Sequence, residues 1–107
     1  PHVAAIRELK EECGINGSII GLVGVRECLI KELPAVFLAY LVNHKKEDIT
    51  IDNDEIEEFG WFEMKDFDSL EWISPAMKEI AAEAIIGRSR DLIDYTKERG
   101  TDYLLYL

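Results

Sequence analysis

Residues 7–15 read RELKEECGI and decide the first element of the fold. At about 100° per residue, Glu8, Glu11 and Glu12 fall within roughly a quarter of the circumference of an α-helix. The apolar side chains predicted on the opposite face are Val3, Ile6, Leu9 and Cys13. Glycine is the usual residue just beyond a helix end, so Gly14 is predicted to stop this helix. The stretch therefore predicts a short helix with one packing face and one carboxylate face.

The carboxylate face has two interpretations. Like charges three and four residues apart repel, so the face destabilises the helix unless solvent screens it or a cation binds there. Carboxylate oxygens are ligands for Mg²⁺ or Mn²⁺, and three of them provide the core of a divalent-metal site. A solvated acidic helix face is the alternative, because such charge runs are common on amphipathic helices.

The same stretch resembles the second half of the Nudix box, whose pattern there is Arg-Glu-apolar-any-Glu-Glu-any-Gly-apolar. Every specified position from Arg7 onward is met. The box's earlier glutamate would lie two residues before Pro1, and its first glycine earlier still. Pro1 is predicted as the first helical residue, with no N-cap residue before it. We therefore expect this chain to be a fragment that begins inside the motif.

The order of elements predicts an α/β class with helices packed on a mixed sheet. The Nudix resemblance implies an α/β/α sandwich from which the N-terminal strands are missing in this chain. A sheet without those strands exposes its edges, so a complementing N-terminal segment or a homo-oligomer is expected to cover them. Strands are predicted at 19–30, 35–42 and 59–64, the second covered on both faces, and glycines 21 and 24 mark bulges or close approaches.

The second half of the chain is predicted to be mainly helical. A turn is expected at 66–70, and Ser74-Pro75 is predicted to begin a longer helix that Gly87 stops. Residues 88–99 are predicted as one more charged helix, followed by an apolar tail. The whole chain, 1–107, is predicted to be a single domain in which 88–107 is either a docking element for self-association or a cover for the core edge.

A second acidic cluster, residues 54–58, precedes Trp61. A solvated loop is one interpretation of such a charge run. The stretch also resembles the acidic loop that follows the box in Nudix hydrolases, where a loop glutamate binds metal or activates water. The resemblance makes Glu55 the first choice and Glu58 the second for the catalytic base, and the sequence leaves that choice open.

The resemblance implies a metal-dependent pyrophosphohydrolase that cleaves the diphosphate bond of a nucleoside diphosphate linked to another moiety. Its implied metal ligands are Glu8, Glu11 and Glu12, and its cofactor is Mg²⁺ or Mn²⁺. In the family, the box arginine pairs with the earlier glutamate, so the Arg7 side chain is expected to be unpaired here. The alternative is a catalytically inactive fragment, or a binding or self-association module, that retains part of the Nudix fold.

The composition limits the classes of partner and the cellular compartment that we expect for this chain. A formal net charge of -10, with 12 Lys and Arg against 22 Asp and Glu, argues against binding a nucleic acid polymer through its phosphates. No apolar run is long enough to cross a membrane. Cys13 and Cys28 are predicted to be free thiols, which favours the cytoplasm. Tyr40 and Trp61 are candidates for stacking on a base, although aromatic residues in apolar strands are more often core.

Overall fold

The computed structural model describes residues 1–44 and 61–107. They combine helices with the strands of one sheet, so the α/β class is confirmed. In chain order they are α1 (His2–Cys13), β1 (Gly17–Ile30), β2 (Leu33–His44), a 3-10 helix (Met64–Ser69), α2 (Pro75–Ile85), β3 (Arg90–Asp94), α3 (Thr96–Arg99) and β4 (Leu104–Tyr106).

The sheet has the strand order β2-β1-β3-β4. Each described pairing is antiparallel, so the parallel component of the expected mixed sheet is not seen within residues 1–44 and 61–107. The rings of Tyr40 on β2 and Tyr106 on β4 lie 5.8 Å apart between centroids. These strands form opposite edges of the sheet, and their contact therefore shows that the sheet curls strongly.

β1 and β2 form a long hairpin with two irregularities, as glycines 21 and 24 predicted. The register shifts between Ile19 and Gly21 and again between Leu22 and Gly24, leaving one extra residue on β1 each time. A Cβ at Gly21 would lie 2.6 Å from the backbone oxygen of Arg90. The missing side chain therefore lets β3 approach β1 closely, where Gly21 pairs with Asp91.

The hairpin turn stores backbone strain. Lys31 and Glu32 have φ values of 49° and 66°, in the left-handed region that a two-residue hairpin turn requires. Glu32→Gly should raise the free energy of unfolding by about 1 kcal/mol, because glycine adopts this conformation without a Cβ clash. Glu27→Gly, the same change within β1, should instead lower it by about 0.5–1 kcal/mol. Urea unfolding measures both; a fall for Glu32→Gly would contradict the strain.

Three predicted elements differ in the structure. Residues 61–63 are not in a strand, because the backbone N–H of Glu63 donates to Asp66 Oδ2 (2.9 Å) and the two residues cap the 3-10 helix instead. β2 is not covered on both faces, since Val36 is 66% exposed and Phe37 38%. β2 has only β1 as a neighbour among the described strands, which leaves its apolar side chains less covered than those of a central strand.

The predicted helix at 88–99 is the third difference. Residues Arg90–Asp94 form β3, and only Thr96–Arg99 are helical. Asp94 ends the strand, because its Oδ1 accepts from the Thr96 N–H at 2.9 Å. Hydrogen bonding from the Thr96 side chain, followed by that from its backbone N–H, lowers the pKa of the Asp94 carboxyl. Gly100 then ends α3 in the left-handed conformation. Residues 90–94 and 104–106 therefore join the sheet, and the predicted long helix is wrong. The choice between a docking element and a cover for the core edge stays a prediction.

Local signals place α2 as expected. The Ser74 hydroxyl accepts from the Met77 N–H, Pro75 is the first helical residue, and Gly87 follows the end with φ of 80°. Phe67 of the 3-10 helix is buried, and its ring packs edge to face with the Trp72 ring, with centroids 5.0 Å apart. No described helix is long and apolar enough to cross a membrane.

Candidate metal and catalytic site

α1 presents its carboxylates as the helical spacing predicted. The side chains of Glu8 and Glu11 are 51% and 60% exposed, and Glu12 is half-buried. The helix begins at His2, with Pro1 as its N-cap rather than its first helical residue, and ends at Gly14 in the left-handed conformation. Val3, predicted on the packing face, is exposed, because its position on the wheel lies toward the solvent side of α1.

Arg7 is paired, contrary to the expectation for its side chain. Its Nη2 lies 3.9 Å from Glu8 Oε1, and its Nε lies 3.8 Å from Glu11 Oε1. These contacts are long and solvent-exposed, so each contributes at most about 1 kcal/mol. They nevertheless place a positive charge between two carboxylates, which reduces the repulsion that the sequence pattern implies.

The chemistry of this donor set fits a hard divalent cation. Three carboxylates from one helix face supply only oxygen, which is the donor that Mg²⁺ and Mn²⁺ prefer. In the part of the chain that the structure describes, however, no three His, Cys, Asp or Glu side chains are gathered closely enough to hold a metal ion. The donors are therefore of the right type for the ion, and Arg7 pairs with two of the three.

The second acidic cluster, residues 54–58, lies in the part of the chain that the structure does not describe. Glu55 and Glu58 lie outside the described residues, and their role stays a prediction. The residues that flank the segment are described: His44 ends β2, and Trp61 comes directly after residue 60. Their rings stack, with centroids 5.0 Å apart and planes inclined by 22°. This contact holds together the two ends of the segment that carries both glutamates.

The stack was not foreseen from the sequence. Trp61 was predicted to lie in an apolar strand, whereas the structure leaves it outside any strand and 52% exposed. Tyr40, the other candidate for base stacking, is half-buried against Tyr106. A contact between residues 17 positions apart has no local periodic signature, and the alternating pattern of the strands therefore does not reveal it.

A separate cavity of about 360 Å³ lies at the start of α1. Tyr40 and Tyr106 line it, together with His2, whose Nε2 lies 3.7 Å from Asp102 Oδ2. The Tyr106 hydroxyl is shielded from solvent, and burial, followed by the neighbouring Tyr40, raises the pKa of Tyr106. None of the carboxylates of α1 lines this cavity.

A family model described as the NUDIX domain matches residues 1–84, a range that includes α1, the β1–β2 hairpin and most of α2. No curated protein matches the chain significantly.

Proposed function

Because this chain belongs to the Nudix family, whose members are hydrolases of nucleoside diphosphate derivatives, we propose that it cleaves the diphosphate bond of a nucleoside diphosphate linked to another moiety. The observation that carries the proposal is the carboxylate face of α1. It lies within the matched region, and two of its three carboxylates are exposed to solvent.

We assign Glu8, Glu11 and Glu12 as the ligands of Mg²⁺ or Mn²⁺. When bound, such an ion neutralises phosphate charge and lowers the pKa of a water molecule. The exposure of Glu8 and Glu11 supports the assignment, because their carboxylates are accessible to an ion and to a phosphate from solvent. Arg7 is bound to them only by long contacts, so it can leave when a cation of higher charge arrives.

A loop carboxylate acts as the general base in this proposal, with Glu55 as the first choice and Glu58 as the second. A base must be ionised to take a proton, so kcat/KM should rise with pH through the pKa of this carboxyl group. Glu55→Gln should remove that rise, whereas Glu58→Gln should keep it. The pH dependence of kcat/KM for both variants decides the choice, and the reverse pattern would assign Glu58 instead.

The second candidate function is a binding module that has the fold without the chemistry. The observation in its favour is that the described side chains form no preassembled metal cluster. Calorimetric titration with Mn²⁺ separates the two candidates. If the chain is a metal-dependent enzyme, we expect the wild type to bind Mn²⁺ more tightly than the Glu11→Gln/Glu12→Gln variant. Equal binding would favour the binding module.

Membership of the Nudix family also underlies our proposals for the substrate, the location, the domain organisation and the partners. The substrate is a small nucleotide derivative rather than a nucleic acid polymer, in agreement with the net charge of -10. Cys13 and Cys28 are both free, which supports a cytoplasmic location. A single domain over 1–107 is supported by the pairing of β3 with β1. A homo-oligomer is the proposed cover for the exposed apolar part of β2.

A further inference from the structure

Trp61 has one covered ring face and a large exposed surface. The His44 imidazole stacks on the indole at 5.0 Å with an inclination of 22°, yet Trp61 remains 52% exposed. An indole that is stacked on one side and half-exposed presents its second face to solvent. A flat aromatic face that is open to solvent can stack on a planar, uncharged group of a ligand.

The other tryptophan shows what a structural indole looks like in this chain. Trp72 is half-buried, its ring meets the Phe67 ring edge to face, and its Nε1–H donates to the Phe67 carbonyl at 2.9 Å. Trp61 differs in that its described contact is a flat stack on a single partner at the end of β2. The two indoles therefore have different environments, and only Trp61 has an open platform.

The position of Trp61 in the sequence and its uncharged indole indicate which part of a nucleotide it can bind. It follows Glu58 by three residues, and the segment between His44 and Trp61 contains both loop glutamates. Acidic side chains repel a phosphate that no cation accompanies, whereas an uncharged indole attracts the face of an aromatic base. The platform thus suits the base, while the phosphates belong with the carboxylates of α1.

We propose that the open face of Trp61 stacks on the base of the nucleoside diphosphate substrate, with His44 supporting the indole from the other side. This inference rests on the proposed function. It makes Trp61 a specificity-determining residue, because a substrate without an aromatic base gains nothing from the platform. Stacking of a base on an aromatic side chain typically changes binding by about tenfold or more on truncation to alanine.

Binding of AMP tests the inference without turnover, because AMP has no diphosphate bond to cleave. Ribose 5-phosphate is the matched ligand that lacks only the base. In Trp72→Phe, where Trp61 is the sole indole, AMP should quench the fluorescence; in Trp61→Phe, which retains only Trp72, it should not. By calorimetry, Trp61→Ala should bind AMP about tenfold more weakly, Trp61→Phe should be affected less, and ribose 5-phosphate should bind all forms alike.

Three results would overturn the inference: unchanged AMP binding by Trp61→Ala, an equal loss for AMP and ribose 5-phosphate, or no quenching of Trp61 by AMP. Its failure is distinguishable from that of the proposed function. If the wild type binds AMP through Trp61 but hydrolyses no diphosphate, base stacking on Trp61 stands and the proposed hydrolase activity is wrong. If the wild type hydrolyses a diphosphate and Trp61→Ala binds AMP as tightly as the wild type, the hydrolase activity stands and base stacking on Trp61 is wrong.

Discussion

Glu11→Gln or Glu12→Gln lowers kcat for diphosphate hydrolysis by at least about 100-fold, if these carboxylates hold the catalytic metal. Glutamine keeps the shape of the side chain and removes its charge, so the loss reports the missing ligand rather than a repacked helix. Initial rates at saturating Mg²⁺ and substrate measure the effect. Circular dichroism should show an unchanged fold, because glutamine keeps the size of the side chain and Glu11 is 60% exposed.

Glu79→Gln is the matched control for this prediction. Glu79 is also an exposed glutamate within a helix, α2, and it lies outside the proposed site. Its substitution should leave kcat unchanged. Wild-type kcat in both Glu11→Gln and Glu12→Gln would remove the metal-site assignment, and an equal loss in Glu79→Gln would show that the effect is one of overall charge.

Gly21→Ala lowers the free energy of unfolding by at least about 2 kcal/mol, the range of overpacking in a closed site. The added methyl group would lie 2.6 Å from the Arg90 backbone oxygen, closer than real Cβ atoms approach. Backbone atoms cannot move aside as a flexible side chain can, so β3 must separate from β1. Urea unfolding followed by circular dichroism gives the change in stability.

Gly24→Ala is the control on the same strand. A Cβ there would be 3.7 Å from Ile80 Cγ1, an ordinary van der Waals distance. The free energy of unfolding should stay the same or rise by roughly 0.5 kcal/mol, because alanine reduces the entropy of the unfolded chain. Equal stability of the two variants would mean that β3 does not approach β1 at Gly21.

Elements with local signals were predictable from the sequence. The helical spacing of the apolar residues and the terminal Gly14 predicted α1, and the cap at Ser74-Pro75 predicted α2. β3 was not predictable in this way, because its strand state depends on pairing with residues 21 and 22, far away in sequence. Its residues, Arg90–Asp94, have no strand alternation, and tertiary pairing therefore overrides their local preference.

The candidate site was likewise predictable from the sequence only where local spacing determines it. The carboxylate face of α1 followed from the angle between successive helical residues, and its family resemblance was confirmed by the match to residues 1–84. The pairing of Arg7 with Glu8 and Glu11 was missed, since the prediction considered only a partner upstream of the chain. The stack of His44 on Trp61 depends on how the chain returns after β2, which no local pattern encodes.

Product release from a panel of nucleoside triphosphates, sugar nucleotides and dinucleotides tests the central claim most directly. The assay uses saturating Mg²⁺ and compares the wild type with the Glu11→Gln/Glu12→Gln variant. We expect the wild type to release a nucleotide and a phosphate-bearing product from at least one compound, at least about 100-fold faster than the variant. No release from any compound, or equal rates for the two proteins, would contradict metal-dependent diphosphate hydrolysis by this chain.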